Sequence, residues 1–302
     1  MRAFSLADLP AARALCGRAR AADPGVEPFG ERLADLATGP RALAQLWRVA
    51  EGARGALHAI SFAALREDGP ARTSVELYAA VMPALRRGGL GRRLLTPLFS
   101  WAKERAARGP VALRTRVPDL PEAFGTLAFL AAMGFSQIAA QLSLQHSGLR
   151  LPPSRPPPAL SVRPLDAGDS AALAQFARLS DDAWEGSPDA FPSREGEALR
   201  AAADPGRLIL LAFQGSEAMG YLSGLRLDGA LGIDGIAVLP RFRRRGIGRE
   251  LLLSALRSGT GRSPAMLLTV REDNLAAREL YRSVGFEIGG RRLVFERITS
   301  TS

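Results

Sequence analysis

Val238-Leu239-Pro240-Arg241-Phe242-Arg243-Arg244-Arg245-Gly246-Ile247-Gly248-Arg249 decides how this chain is read. An apolar extended run ends in Val-x-Pro, a basic Arg-x-x-Gly-x-Gly bend follows, and an amphipathic helix begins. The same pattern stands earlier in the chain. Val81, Pro83, Arg86, Gly89, Gly91, Arg92, Leu94 and Leu95 recur as Val238, Pro240, Arg243, Gly246, Gly248, Arg249, Leu251 and Leu252, all at an offset of 157 residues. A period this long is a duplicated domain, because solenoid repeats run at about 20–50 residues. A helix N-terminus presents unpaired N–H groups and a partial positive charge. Gly246 and Gly248 are able to take positive φ and to let backbone approach an anion. The arginines add charge-assisted hydrogen bonds. The bend is therefore read as a phosphate cradle. It lacks the Gly-Lys-Ser/Thr of a Walker loop and the three-glycine spacing of a dinucleotide fingerprint.

With 302 residues the chain is long enough for two domains, and 47% hydrophobic with 23% charged residues is ordinary globular composition. No apolar run reaches the roughly 18 residues that cross a bilayer, and the N-terminus reads as a first strand rather than a signal peptide. Cys16 is the sole cysteine, so no internal disulfide forms, and a reducing cytoplasm is the expected compartment. The formal charge is +10, and all but one of the 40 basic residues are arginine. High Ala, Gly, Pro and Arg together point to genomic base composition rather than to a polyanionic partner. A nucleic-acid partner is disfavoured, since aromatics are 6% and no basic run exceeds three residues.

Three parts are expected: an N-terminal domain over 1–145, a Pro-rich linker over 146–159, and a C-terminal domain over 160–298. The linker holds five prolines between Pro152 and Pro158, which favours a stiff extended connection. In the C-terminal half, strands are expected at Leu160–Leu165, Leu208–Phe213, Ala218–Leu227, Ala230–Val238 and Ala265–Val270. Asp228-Gly229 reads as a two-residue hairpin turn. Helices are expected at Ser170–Leu179, Arg249–Ser258 (stopped by Gly259) and Leu275–Ser283 (stopped by Gly285). Phe286–Ile298 reads as a last hairpin around Gly289-Gly290. The order β-α-β-β-β-α-β-α-β calls for an α/β fold, with a mixed, mostly antiparallel sheet flanked by helices in each half.

The run Val238–Gly248, together with Asn274 and Leu280-Tyr281-Arg282-Ser283-Val284-Gly285-Phe286, resembles the GNAT superfamily of acyl-CoA-dependent N-acetyltransferases. The resemblance covers most of residues 160–298 and is weaker in the first half. It implies two tandem GNAT domains with splayed central strands, the second taking acetyl-CoA as cosubstrate in its splay, without a metal. It implies that the pantetheine arm pairs near Ile236, Ala237 and Val238, and that the diphosphate sits on Arg243, Arg244, Arg245, Gly246, Ile247, Gly248 and Arg249. Asn274 is implied as a cofactor contact, and it is also a natural helix N-cap. Tyr281 is implied as the acid that meets the leaving thiolate.

The base is not given by a motif. By simple alternation, Asp234 falls on the same strand face as Val238 and is a candidate to act through water. A strand-end carboxylate at a bulge beside Gly235 is the alternative. Asp181, Asp182, Trp184 and Glu185 form an acidic-aromatic cluster suited to a cationic amine, or equally a solvated loop. His58 and His146 are read as structural.

The halves differ. Aligning Gly134-Phe135 with Gly285-Phe286 puts Leu130 in place of Tyr281 and Ala123 in place of Asn274. The first half keeps the bend (Val81, Arg86, Gly88, Gly89, Gly91 and Arg92) and lacks the acid, so it is expected to be a degenerate copy that binds acetyl-CoA weakly or serves as scaffold. The expected function is acetyl transfer from acetyl-CoA to a primary amine, on a small molecule or a protein N-terminus, by direct attack in the C-terminal domain. A monomer whose halves mimic a dimer is expected. A non-catalytic acyl-CoA sensor or scaffold is the rival. The layout is also similar to tandem mycothiol synthases, although Gly232 stands where those carry an acidic residue.

Overall fold

In the computed structural model, residues 1–22, 45–67, 73–105, 110–148, 151–154, 156–166, 168–182, 203–227, 230–258 and 265–299 are described. In chain order the elements are β1 (Arg2–Ala3), α1 (Leu9–Ala22), β2 (Gln45–Glu51), β3 (Leu57–Glu67), β4 (Thr73–Val81), α2 (Leu90–Arg105), β5 (Val111–Pro118), α3 (Phe124–Ala132) and β6 (Ser136–His146). Then follow β7 (Leu160–Pro164), α4 (Ser170–Asp182), β8 (Arg207–Gln214), β9 (Glu217–Leu227), β10 (Ala230–Val238), α5 (Ile247–Ser258), β11 (Ala265–Arg271), α6 (Leu275–Val284) and β12 (Glu287–Thr299). The expected order of the second half is observed. Asp228-Gly229 and Gly259 lie outside the described residues.

The chain forms two compact units. One comprises Met1–Ala140 with Arg292–Ser302, the other Gln141–Arg291. Their membership does not follow the linear division of the sequence. The end of β6, Gln141–His146, pairs antiparallel with Arg271–Met266 of β11 and belongs to the second unit. The end of β12, Arg292–Thr299, pairs antiparallel with Pro118–Val111 of β5 and belongs to the first. The hairpin expected around Gly289-Gly290 is absent: residues 287–299 form one strand. Two adjacent glycines look like a turn locally, but Arg292–Thr299 find their ladder partners on β5, far away in sequence, and the strand continues unbroken through the glycines.

Each unit carries the same departure from a regular sheet. In the second, β10 and β11 run parallel with register partners only from Ala230↔Ala265 to Ile233↔Leu268. Beyond that point Gly235–Val238 pair with β9 and Thr269–Arg271 with β6, not with each other. In the first unit the parallel register of β4 and β5 likewise stops at Glu76↔Arg114. A parallel pair that parts halfway leaves backbone groups facing a gap at the carboxyl ends of its strands, where ligands of open α/β sheets bind.

The helices cover opposite faces of the second sheet. Phe176 of α4 meets the Tyr221 ring edge-on at 5.2 Å. On the other face, a Cβ on Gly248 of α5 would lie 3.9 Å from Val238 Cγ2. Leu251, Leu252 and Leu253 of α5 are fully buried in the core of this unit. The Pro-rich segment also packs here. Leu151 lies against the core, Arg249 Nη1 donates to the Pro153 carbonyl at 3.1 Å, and Ser154 Oγ donates to Glu250 at 2.7 Å.

Helix α6 is delimited by its caps. Asn274 Oδ1 accepts from the Ala277 N–H at 3.1 Å, and Gly285 closes the helix at φ 104. A Cβ at Gly285 would also lie 3.2 Å from His146 Nε2. Gly285→Ala is therefore expected to cost about 1–3 kcal/mol. That corresponds to a fall in Tm of roughly 2–10 °C, which differential scanning calorimetry reads.

Candidate active site

The bend after β10 is built from backbone. Pro240–Phe242 form one 3-10 turn, Arg244 adopts φ 64 and Gly246 φ 82, and Glu250 N–H closes on the Gly246 carbonyl to start α5. Arg243 is exposed but folds back on the strand it follows. Its Nε donates to the Val238 carbonyl at 3.0 Å, which braces the bend against the strand it leaves. Arg244 and Arg245 are exposed, and the Arg245 guanidinium lies 5.4 Å from the Phe242 ring. Ile247 is buried. Gly248 does not need positive φ, contrary to the sequence expectation. It sits in the first turn of α5, where a Cβ would lie 3.1 Å from Leu280 Cδ2. Its smallness serves the close packing of α6 on α5.

The first unit repeats this construction. Arg86 Nε donates to the Val81 carbonyl at 3.3 Å and its Nη2 to the Ala19 carbonyl at 3.1 Å. Arg87 has φ 65 and Gly89 φ 77, while a Cβ at Gly91 would lie 3.2 Å from the Phe129 ring. Gly88 has negative φ, and Arg92 is exposed on α2. The divergence of β4 and β5 holds a cavity lined by Leu77, Ala79, Thr115, Val117, Phe129 and Leu130.

Tyr281 lies on the inner face of α6, 6% exposed. Its ring packs at 5.7 Å on Phe286, which in turn packs at 5.3 Å on His146. His146 Nδ1 accepts the Gly148 N–H at 2.8 Å. Among the described residues the Tyr281 hydroxyl makes no hydrogen bond. Burial pushes its pKa up to about 12, so the phenol stays protonated through the physiological range.

Asp234 is where alternation fails. The register of β10 on β9 slips between Ile233↔Gly224 and Gly235↔Ser223, so Asp234 is the extra residue of a β-bulge. Val238 is opposite Gly220, on the other face from Ser223. The Asp234 carboxylate accepts from Ser223 Oγ at 2.6 Å, which puts it on the Tyr221 and Ser223 face and not on that of Val238. Its other oxygen pairs with Arg207 at 2.6 Å. Sequence reading found neither Arg207 nor Ser223. Their only signal was the suspicion of a bulge at Asp234-Gly235. Asp181 and Asp182 are the last two residues of α4, and Asp182 is exposed; Trp184 and Glu185 lie outside the described residues.

Comparison with known proteins decides the family. The Acetyltransferase (GNAT) family matches residues 31–135 and again 176–286. The chain belongs to the GNAT acetyltransferases. A mycothiol acetyltransferase of Gordonia bronchialis is 31% identical over 92% of this chain and 88% of its own length. The N-alpha-acetyltransferase RimI of Mycobacterium tuberculosis is 35% identical over 44% of this chain and 80% of its own. A GCN5-related N-acetyltransferase from Sphaerobacter thermophilus shares the fold, with a TM-score of 0.77 at 21% identity, over 98% of this chain and 94% of that one.

This GNAT protein is an N-acetyltransferase with two family domains in tandem, and its family draws the acetyl group from acetyl-CoA. The residues present suit that cosubstrate. A helix start with two left-handed backbone positions and exposed arginines fits a diphosphate. The gap beside Ile236–Val238 offers backbone partners to a pantetheine amide. Among the described residues no group of three or more His, Cys, Asp and Glu is placed to hold a metal ion.

Proposed function

We propose that the second unit of this GNAT protein catalyses transfer of the acetyl group of acetyl-CoA to a primary amine, by direct attack in a ternary complex. The observation that carries this reading is the buried phenol of Tyr281, without a hydrogen-bond partner among the described residues, in the unit where β10 and β11 part, against Leu130 at the matching place in the first unit. Ile236, Ala237, Val238 and Asn274 are assigned to the pantetheine arm, and the bend from Arg243 to Arg249 to the diphosphate. Arg243 and Arg249 act there mainly as braces, since their guanidinium groups hold the Val238 and Pro153 carbonyls.

Tyr281 meets the sulfur. An ordinary thiol has a pKa near 8.5, so full proton transfer from a phenol of pKa about 12 is uphill by roughly 5 kcal/mol. The hydroxyl therefore works first as a hydrogen-bond donor to the developing thiolate, in a dry site where such a donor is strong. Asp234 is assigned to the proton of the amine. It approaches from the α4 side of the sheet, whereas Tyr281 belongs to α6, packed on α5 at the opposite face. That division suits a nucleophile and a leaving group on opposite sides of one carbon. Holding donor and amine together supplies much of the rate.

A second reading of the acceptor is a cysteinyl aminosugar, favoured by the mycothiol acetyltransferase relatives matched over most of their length. Gly232 departs from it.

Acetyl-CoA titration monitored by thermal shift, followed by thiol-release assays over an amine panel, tests the proposal. The panel holds aminosugars, an aminoglycoside, a cysteinyl aminosugar and peptides with free N-termini. Stabilisation by acetyl-CoA with amine-dependent release of thiol is expected. Stabilisation without turnover of any amine would instead make the protein an acyl-CoA sensor.

A further inference from the structure

The bulge gathers polar groups outside both the diphosphate bend and the acid. Arg207 Nη1 donates to Asp234 Oδ2 and Ser223 Oγ donates to Asp234 Oδ1, both at 2.6 Å. The side chain of Arg207 is 9% exposed and that of Asp234 is 40% exposed. The cation is thus sunk in the sheet face, and the carboxylate stands at its mouth. Gly235 keeps the corner open. A Cβ there would lie 2.8 Å from Ser223 Oγ and 3.3 Å from the Tyr221 ring. Serine and arginine each take one lone pair of the carboxylate, so its remaining lone pairs face outward at a fixed angle.

An unpaired carboxylate in this corner would attract an alkylammonium ion and hold it in its protonated form, which has no lone pair with which to attack. Such ground-state binding lowers KM without raising kcat. Sharing the carboxylate with a buried guanidinium makes the corner neutral overall and orients it without that trap.

We propose that Arg207 is a positioning residue, which aims and neutralises Asp234 so that the acceptor is held at the bulge as a free primary amine. The inference rests on the reading of Asp234 as the proton acceptor. The acceptor nitrogen sheds two protons on its way from ammonium to amide. One passes to Asp234, directly or by exchange through Ser223 Oγ, and from there to water. The nitrogen bonds the acetyl carbon as the carbon–sulfur bond opens, and the electron pair of that bond stays on sulfur. The second proton ends on the departing thiolate, which the Tyr281 hydroxyl steadies by a donated hydrogen bond until it arrives.

The test uses the full chain with two probe amines, glucosamine and an alanine-terminated peptide, and the better substrate is carried through. Arg207→Gln is expected to lower kcat at least about tenfold while KM for the amine falls by roughly three- to tenfold. Calorimetric amine affinity rises in parallel, and KM for acetyl-CoA stays within about twofold. Arg207→Lys restores both parameters. A fall of kcat and amine affinity together, or no change in either, overturns the proposal. Should Arg207→Gln fail to fold, Arg207→Met takes its place: reduced kcat with lowered amine KM supports the role, and any other pattern overturns it. Asp234→Asn separates this inference from its parent. Full turnover in that variant, or no turnover of either amine by the unmodified protein, removes the reading on which the proposal rests. An inactive Asp234→Asn with no split in Arg207→Gln removes only the role of Arg207.

Discussion

Tyr281→Phe is expected to lower kcat by about 10²- to 10⁴-fold, the usual worth of a positioned general acid, while leaving KM for acetyl-CoA within about twofold. The ring is buried against Phe286, and its hydroxyl makes no hydrogen bond among the described residues. Removing the oxygen therefore strands no buried partner, and the Tm should hold within a few degrees. Steady-state thiol release and calorimetry read both quantities. The pH dependence carries a second signature. A donor must be protonated to act, and burial holds this phenol up to about 12. The unmodified enzyme should thus show no loss of kcat from the phenol until the pH nears that value. A basic limb well below it that vanishes in Tyr281→Phe would contradict the buried environment. Turnover that survives Tyr281→Phe but is lost on changing Gly89 would move the chemistry to the first unit.

Deleting residues 292–302 should unfold the first unit although it removes only the far end of the chain. Eight register pairs join Arg292–Thr299 to Pro118–Val111. Leu293 and Phe295 are buried with Leu113, Val117 and Phe135. Arg297 Nη1 donates to the Met133 carbonyl at 2.7 Å, and Glu296 pairs with Arg114 at 2.8 Å. Truncating one large buried side chain costs about 2–5 kcal/mol, and a domain has only about 5–15 kcal/mol in total. Hydrogen exchange should show loss of protection over Val111–Pro118, with β9 and β10 still protected. The milder Phe295→Ala should destabilise the first unit by about 3–5 kcal/mol. Equal loss of protection in β9 and β10 would mean that the units are not separate cooperative blocks.

Much of the second unit was legible in its residues. Ala230–Val238 reads as a strand, because apolar residues run up to Val-x-Pro and the bend that follows cannot continue a ladder. Asn274 and Gly285 mark both ends of α6, since cap chemistry is local: an Asx oxygen meets the N–H three residues on, and only glycine sits comfortably at φ 104. The duplicated bend is visible as identities at one offset, and Leu130 in place of Tyr281 emerges when Gly134-Phe135 is aligned with Gly285-Phe286. Three features were not legible. The face of Asp234 depends on a bulge that shifts alternation by one residue, and a bulge is defined by the partner strand. Arg207 and Ser223 meet Asp234 across three strands, so no spacing in the sequence announces them. Gly289-Gly290 resembles a turn to any reader who sees only its neighbours.

By itself, then, the sequence determined the family, the duplication, the basic glycine bend and the caps of α6, because each is written in contiguous residues or in a constant offset. Tertiary structure alone decided which strands complete which unit, which side of the sheet the carboxylate serves, and that a buried arginine holds it. Those outcomes depend on hydrogen-bond partners and charges brought together from distant parts of the chain, and they exist only once the ladders have closed.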